Sequence, residues 1–331
     1  MTCLYAYGCS FPAGSELDTP EKIGITKEEW FDFYFDNWDQ DTEFSLLQKF
    51  VQKSKKNDHL LYDRYYKIIC TPSEKSYPNL LAKNLGYQCV NRCLMSTSAE
   101  NACRRAIDDI VLGNIKEGDI AFVGITISPR LTFYFQAFDK FVSLLPNCDP
   151  NLIHNDLYKG WMRDWANDFN MFDSVINSIH HLVITAKKYN VTLYLHNTLS
   201  TMRIHDDIWI DLYLNRIPSG EQEVATIKQS WKHKIKEIRP YYLKLKPIYG
   251  LIDSAGIDVK IFNKYNIGPV NRGTPYVMNF LQKNCTDKKL TGKECTEFFY
   301  NPFGHPDEKA HQFLAKVYGD DIHARERQRT Q

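Results

Sequence analysis

The residues of this chain best suited to nucleophilic chemistry are a serine near its start and a histidine near its end. Ser10 follows the short apolar stretch Cys3–Tyr7 and lies in a glycine-bounded turn. A serine hydroxyl is a poor nucleophile unless a base, usually histidine, lies within hydrogen-bond reach. His305 stands in a Gly-His-Pro sequence, just before a helical pattern near the C-terminus. Acyl transfer by a serine and a histidine is therefore one chemistry that these residue types allow.

The histidines and the serine also have ordinary structural interpretations. A serine in a turn often satisfies a backbone group of that turn, and a histidine at a helix start can pack beneath the helix. His311 lies six residues after His305, about 240° further around an ideal helix, so we interpret it as structural. His180, His181 and His196 lack carboxylates at metal-binding spacing and are interpreted as ordinary helix and strand-end residues.

The sequence carries no pattern for a metal or a cofactor. The nine cysteines have no paired zinc spacing, since Cys89 with Cys93 and Cys285 with Cys295 lack the two-residue spacer of a zinc knuckle. The turn around Ser10 has neither the lysine of a P-loop nor the G-x-G-x-x-G spacing. We therefore predict no cofactor, no metal ion, and cysteines that are mostly reduced and buried.

Composition and charge limit the class of protein. The chain has 331 residues, of which 43% are hydrophobic and 24% charged, as in ordinary globular proteins. A formal net charge of +1 gives no basic field, so nucleic acid is not an expected partner. No apolar run approaches the roughly 20 residues of a membrane helix, and the N-terminus lacks the basic segment of a secretory signal. These features predict a cytoplasmic protein without a membrane span.

Strand and helix patterns alternate through residues 1–197. The predicted strands lie at 3–7, 88–91, 119–127 and 191–197. The predicted helices lie at 77–87, 98–112, 131–145 and 159–189. Because neighbouring parallel strands need helical crossovers, this alternation predicts a parallel sheet covered by helices on both faces.

The rest of the chain is less periodic. Here we predict helices at 224–238 and 306–318 and a strand at 259–262. Residues 15–75 have the composition of an insertion, and a largely helical insertion is predicted at about 144–190. The whole is predicted to be a single domain over 1–320, followed by a frayed tail at 321–331.

Blocks near the two ends of the chain resemble the SGNH (GDSL-type) hydrolase superfamily, particularly its divergent bacteriophage members. The first block is YGCSFPAG and the last is GHPDEKAHQFLA. Between them, YPNLLAKNLGYQCVNRC resembles the helix and strand that follow the first block of the family. DIAFVGITISPR resembles the third strand with its loop. The four segments occur in the family's order, which is more specific than any one of them.

The resemblance implies a three-layer α/β/α sandwich with a doubly wound, mainly parallel sheet. It also implies hydrolysis of an ester or related acyl bond of a small molecule or carbohydrate. Ser10 matches the nucleophile and His305 the base. The oxyanion hole would combine the Ser10 backbone N–H, Ser96 or Thr97 at the position of a family glycine, and Thr126 at the position of a family asparagine. If the protein is phage-encoded, its location would be the host cytoplasm or the virion.

One departure from the family pattern concerns the catalytic acid. The aspartate usually found three residues before the histidine is Pro302 here. Ser10 and His305 would then act as a dyad, with Asn301 or a backbone carbonyl orienting the imidazole. The alternative is a catalytically degraded relative that serves as a binding or virion-associated protein.

Three further features keep two interpretations each. Thr126 is either an oxyanion donor or a β-branched strand residue. Arg130 either binds a substrate anion or serves packing and solubility at the end of its strand. The aromatic residues at 30–38 either line a cleft or pack on the host domain. Because they are too apolar for a solvated loop, we predict that the insertion 15–75 forms a cap or a partner-binding face.

Overall fold

A computed structural model describes residues 2–14, 17–18, 71–94, 97–126, 131–135, 140–144, 168–198, 222–243 and 308–330. They belong to two compact units. Unit 1 comprises Met1–Cys9 and Ser96–Leu243, and unit 2 comprises Ser10–Met95 and Lys244–Gln331. Most of the insertion 15–75 and the predicted strand 259–262 lie outside the described residues. The single domain stays a prediction, as does the cap.

The described elements alternate between strand and helix in the first part of the chain. In chain order they are β1 (Cys3–Tyr7), α1 (Ser10–Ala13), α2 (Tyr77–Leu85), β2 (Gln88–Asn91), α3 (Ala99–Val111), β3 (Ile120–Ile125), β4 (Leu131–Phe135), β5 (Lys140–Leu144), α4 (Asp168–Lys188), β6 (Thr192–Asn197), α5 (Gln222–Ile238), a short 3₁₀ turn (Arg239–Tyr241) and α6 (Glu308–Thr330).

The centre of unit 1 is a parallel sheet in which β3 lies between β1 and β6. The β1–β3 register pairs Tyr7 with Val123, and the β3–β6 register pairs Val123 with Leu195. All six residues of β3 are buried, as the continuous apolar run of a two-face-buried strand predicts. The predicted α/β fold with a parallel sheet is therefore confirmed.

Alternating side chains of these strands form the core of unit 1. Ala121, Val123, Ile125, Leu193 and Leu195 belong to one apolar cluster with residues of α3, α4 and α5. The side chains on the other face of the sheet are also buried; they include Leu4, Ala6, Phe122 and Tyr194. A sheet buried on both faces leaves its strand ends as the places where polar groups can emerge.

Local signals fix the ends of α3. The Ser98 hydroxyl accepts a hydrogen bond from the Asn101 N–H at 3.1 Å, which is the usual N-cap arrangement. At the other end Gly113 adopts a φ of 73°, a conformation that favours glycine. The helix predicted over 98–112 is confirmed as Ala99–Val111.

In unit 2, α6 packs against α2 through a buried histidine. The His311 ring accepts a hydrogen bond at Nδ1 from the Tyr77 N–H at 2.9 Å and stacks on the Tyr77 ring with centroids 5.4 Å apart. Both side chains are fully buried. A helix leaves its first N–H groups without intrahelical acceptors, and His311 supplies one of the missing acceptors for α2. The structural interpretation of His311 is confirmed.

Two predictions of secondary structure are wrong. Residues 131–145 were predicted as a helix, but they contain β4 and β5, which pair antiparallel. The segment is rich in phenylalanine and tyrosine, which favour strands, and its apolar spacing also fits a helix. The C-terminal helix was predicted to end at Tyr318 with a frayed tail from 321, yet α6 continues to Thr330. Ion pairs four residues apart, such as Lys316 with Asp320 and Arg325 with Asp321, support this extension.

No helix among the described residues is long and apolar enough to cross a membrane.

The contact between α6 and α2 gives a first prediction. Replacing His311 with alanine leaves the buried Tyr77 N–H without its acceptor, so we expect the free energy of unfolding to fall by about 1–3 kcal/mol, with a further loss from the cavity. His311→Asn keeps an acceptor near the position of Nδ1 and should recover part of this loss. Urea denaturation of the three proteins measures both effects. Equal stability of the alanine variant and the natural protein would contradict the role given to His311.

Candidate functional site

The carboxyl ends of β1, β3 and β6 lie at one edge of the unit 1 sheet. Parallel strands share their direction, and the register aligns Tyr7, Val123 and Leu195 across the three strands. The residues that follow these strands therefore leave the sheet at the same edge. Open parallel sheets bind their ligands at such an edge.

Three side chains from these ends form a buried hydrogen-bonded cluster, the hydroxyl cluster, made of Cys9, Thr126 and Thr198. The Oγ1 atoms of Thr126 and Thr198 are 2.7 Å apart. Cys9 Sγ lies 3.6 Å from Thr198 Oγ1. Thr198 Oγ1 is also 3.1 Å from the carbonyl oxygen of Ile125, which accepts the Thr198 N–H at 2.9 Å. Thr198 is thus the centre of the cluster.

The protons of the hydroxyl cluster can be assigned by counting donors and acceptors. If Thr198 donates its hydroxyl proton to the Ile125 carbonyl, its oxygen accepts from both Thr126 and Cys9, and all three protons are used. If Thr198 instead donates to Thr126, the Thr126 proton has no acceptor within the cluster. The first arrangement satisfies more of the described buried groups, so we assign the donated proton of this contact to Thr126.

The contact made by Cys9 shows the path of the chain after β1. β3 separates β1 from β6 in the sheet, yet Cys9 reaches Thr198, which follows β6. The chain leaving β1 therefore passes over the carboxyl end of β3 toward β6.

His196 is the next-to-last residue of β6 and precedes Thr198 of the hydroxyl cluster by two residues. Its side chain is 1% exposed and stacks on Phe122 with ring centroids 4.2 Å apart. Burial away from water disfavours the charged imidazolium and lowers the pKa of His196 to about 3. The ring is therefore neutral at physiological pH, which suits a packing role beside the strand ends.

Gly124 in β3 makes room for these residues of β6. A Cβ atom at position 124 would lie 2.7 Å from Cγ2 of Thr198 and 3.1 Å from Nε2 of His196. The first distance is shorter than any ordinary contact, so a side chain here would displace Thr198 from the hydroxyl cluster. Glycine at this position is a requirement of close packing.

Asn197, the last residue of β6, is the polar group that the sequence analysis missed. It is 2% exposed, and neither Nδ2 nor Oδ1 has a hydrogen-bond partner within the part of the chain that the structure describes. Its partner in the β3–β6 register is Ile125, the residue before Thr126. The available signal was a single polar residue closing the apolar run VTLYL, which is also how many strands end.

In unit 2, Ser10 begins the helical turn α1, directly after Cys9. The end of this turn is held by hydrogen bonds from two residues: the Ser73 N–H donates to the Ala13 carbonyl at 2.8 Å, and Asn91 Nδ2 donates to the Pro12 carbonyl at 3.4 Å. Gly14 continues the turn with a φ of 66°, and a Cβ there would lie 2.8 Å from Cβ of Ser76. The backbone that carries Ser10 is thus fixed by its own unit.

Of the other predicted site residues, one lies in a described range and three do not. Thr126 lies in the hydroxyl cluster at the end of β3. Ser96, Arg130 and His305 lie outside the described residues, so their roles stay predictions. Within the described ranges no group of three or more His, Cys, Asp or Glu side chains could hold a metal ion.

The chain is similar to several proteins of known structure, with low identity. A protein from Bacillus subtilis matches with 8% identity and a TM-score of 0.40, over 98% of this chain and 56% of that protein. A Desulfitobacterium hafniense protein assigned to the lipolytic G-D-S-L family matches with 9% identity and a TM-score of 0.37, over 97% and 99% of the two chains. The psychrotrophic esterase EstA from Pseudoalteromonas sp. matches with 9% identity and a TM-score of 0.36, over 98% of each chain.

No protein-family model and no curated protein matches the sequence. The chain spans 56% of the length of the Bacillus subtilis protein. The G-D-S-L family of the second protein is the one that the sequence blocks resemble. At these identities and TM-scores, the activities of the similar proteins do not transfer to this chain.

The burial of His196 gives a prediction about acid stability. An unfolded histidine binds a proton below about pH 6.5, whereas His196 in the folded protein does so only near pH 3. Between these values the unfolded state holds one more proton than the folded state. The free energy of unfolding should therefore decrease as the pH is lowered, by up to about 1.4 kcal/mol per pH unit. The free energy of unfolding of His196→Gln should depend less steeply on pH over the same range, because one protonation is missing from the difference between the two states. Urea titrations at several pH values measure both slopes, and equal slopes would contradict a neutral buried His196.

Proposed function

We propose that this protein is a serine hydrolase that cleaves an ester or a related acyl bond, with Ser10 as the nucleophile and His305 as the general base. The substrate class is an acyl ester of a small molecule or carbohydrate. The oxyanion of the tetrahedral intermediate is stabilised by the Ser10 N–H, by Ser96 and by Thr126. Arg130 binds a negatively charged group of the substrate.

The reaction takes two balanced steps. Ser10 Oγ attacks the acyl carbon while His305 takes the serine proton, and the leaving alcohol then departs with that proton as the acyl-enzyme forms. In the second step, water gives a proton to His305 and attacks the acyl-enzyme. The Ser10 oxygen leaves with the proton from His305, which restores the enzyme and releases the carboxylic acid.

The observation that carries the proposal is the strand–turn–helix arrangement around Ser10. Ser10 is the third residue after the end of β1, so the chain can carry it no more than about 11 Å from that strand end. This closeness in the chain to the end of a parallel strand supports the proposal, since such folds place their chemistry after their strand ends. The hydrogen bonds from Ser73 and Asn91 fix the turn, as a nucleophile requires.

The alternative function is that of a catalytically degraded relative that binds a ligand or belongs to a virion. Pro302 at the usual aspartate position and Thr126 at the usual asparagine position favour it. The two functions differ in one property, the reactivity of Ser10.

Labelling with a fluorophosphonate tests the nucleophile. This reagent forms a covalent bond with an activated serine, so the natural protein should be labelled at one residue, and Ser10→Ala should lose the label. Intact-mass and peptide mass spectrometry measure the site and the extent. Ser174→Ala is the control, since it removes a serine hydroxyl of α4 that hydrogen-bonds Glu100 and takes no part in the Ser10 turn. A natural protein that stays unlabelled, or a Ser10→Ala protein that keeps the label, would refute the hydrolase.

The pH dependence of turnover tests the base. A histidine base acts only when neutral, so kcat with 4-nitrophenyl acetate should rise with pH through about 6.5. Because the pKa of His196 is about 3, that residue cannot produce such a rise. His305→Ala should remove nearly all turnover. An alanine variant with full activity and the same pH profile would exclude His305.

A further inference from the structure

Two serines and two asparagines of unit 2 form a polar network beside the Ser10 turn, the turn network, made of Ser73, Ser76, Asn79 and Asn91. Ser76 Oγ lies at its centre, 2.9 Å from Asn91 Nδ2 and 3.2 Å from Asn79 Nδ2. Asn79 Nδ2 also donates to the Ser73 carbonyl at 2.7 Å. Ser76 is fully buried. The network therefore links the segment before α2 to the end of β2.

The Ser76 hydroxyl is available to this network because it does not cap α2. An N-cap serine usually accepts a backbone N–H from the first turn of its helix. Ser76 is the N-cap residue of α2, yet its side chain makes no capping hydrogen bond. The Tyr77 N–H donates to His311 instead, and Pro78 has no N–H to satisfy. The role of this buried hydroxyl therefore lies outside α2.

The amide of Asn91 is oriented by a local turn. Its Oδ1 atom accepts the Cys93 N–H at 3.1 Å, which identifies the oxygen because a backbone N–H needs an acceptor. The Nδ2 group is then directed at two other acceptors, Ser76 Oγ at 2.9 Å and the Pro12 carbonyl at 3.4 Å. Both N–H groups of the amide are thus used. Asn91 joins the end of β2 to the backbone two residues after Ser10.

The turn network also supports the other end of α1. The Ser73 N–H donates to the Ala13 carbonyl at 2.8 Å. Gly14 lies so close to Ser76 that a Cβ at position 14 would be 2.8 Å from the Ser76 Cβ. Residues 12–14 therefore each contact the network, and all of these residues belong to unit 2.

From these contacts we infer that Asn91 and Ser76 are positioning residues of the proposed reaction, which hold the backbone at 12–14 so that Ser10 keeps the conformation in which it attacks the acyl carbon. The inference rests on the proposed function. A helical turn of four residues leaves most of its N–H and C=O groups without partners of its own, so its shape depends on outside contacts. A reacting group displaced by about 1 Å can lose about 100-fold in rate.

The main test compares Asn91→Asp with the natural protein. Aspartate has nearly the same shape and keeps an oxygen for the Cys93 N–H, but its second oxygen cannot donate to the Pro12 carbonyl. We expect kcat for 4-nitrophenyl acetate to fall by about 10- to 100-fold and KM to stay within about threefold. The rate of labelling by a fluorophosphonate should fall by a similar factor, because this reagent reports on the nucleophile alone.

A second variant, Ser76→Ala, removes the other partner of the Asn91 amide. It should lower kcat in the same way but by less, since the Pro12 carbonyl remains as an acceptor. In the double variant the two losses should be less than additive, because both residues act through one network. Tyr87→Phe is the control. It removes a hydroxyl of unit 2 that hydrogen-bonds Glu326 of α6 instead of the turn network, and it should leave kcat unchanged.

Ser10→Ala separates failure of the inference from failure of the proposed function. If Ser10→Ala is inactive while Asn91→Asp and Ser76→Ala keep kcat and labelling rate within about threefold of the natural values, the two residues do not position the nucleophile and the hydrolase still stands. If Ser10→Ala is as active as the natural protein, both proposals fail. If the two variants lose kcat only in proportion to their native circular dichroism signal, the network has a structural role alone and the inference is overturned.

Discussion

The parallel pairing of β3 with β1 on one side and β6 on the other is the constraint on which the rest of unit 1 depends. Because the three strands run in one direction and in register, their carboxyl ends form one row. Both faces of the sheet are buried, so that row is where polar side chains are concentrated. The hydroxyl cluster, His196 and Asn197 all follow from this geometry. His196, Asn197 and Thr198 are consecutive in the sequence, whereas Cys9 and Thr126 come from the ends of the other two strands.

The polar groups of this edge divide into satisfied and unsatisfied ones. Thr126, Thr198 and Cys9 hydrogen-bond to one another and to a carbonyl of β3, so they stabilise the strand ends. Asn197, which ends β6, has an amide with no partner among the described residues. Most buried polar side-chain atoms of natural proteins have a hydrogen-bond partner. The contrast separates side chains that satisfy one another from one whose polar atoms have no partner within the described residues.

Sequence reasoning predicted the parts of the fold in which one pattern has one physical meaning. The run IAFVGI is apolar at every position, and only a strand buried on both faces explains it at that length. Residues 131–145 fit two periods at once, and the pairing of β4 with β5 decided between them. The Ser10 turn was predicted from its glycines, whereas Asn197 was missed. Its significance lies in the partners it lacks, which depend on the folded neighbours and not on the residue type.

The absence of a side chain at Gly124 also limits how this sequence can vary. The space that a Cβ would need is taken by the Thr198 methyl group, which belongs to the residue at the centre of the hydroxyl cluster. A larger residue at 124 is compatible with the sheet only if residue 198 becomes smaller, and serine is the smaller residue that keeps the hydroxyl. Positions 124 and 198 should therefore change together among descendants of this sequence. An engineered library that randomises position 124 alone will recover mainly glycine.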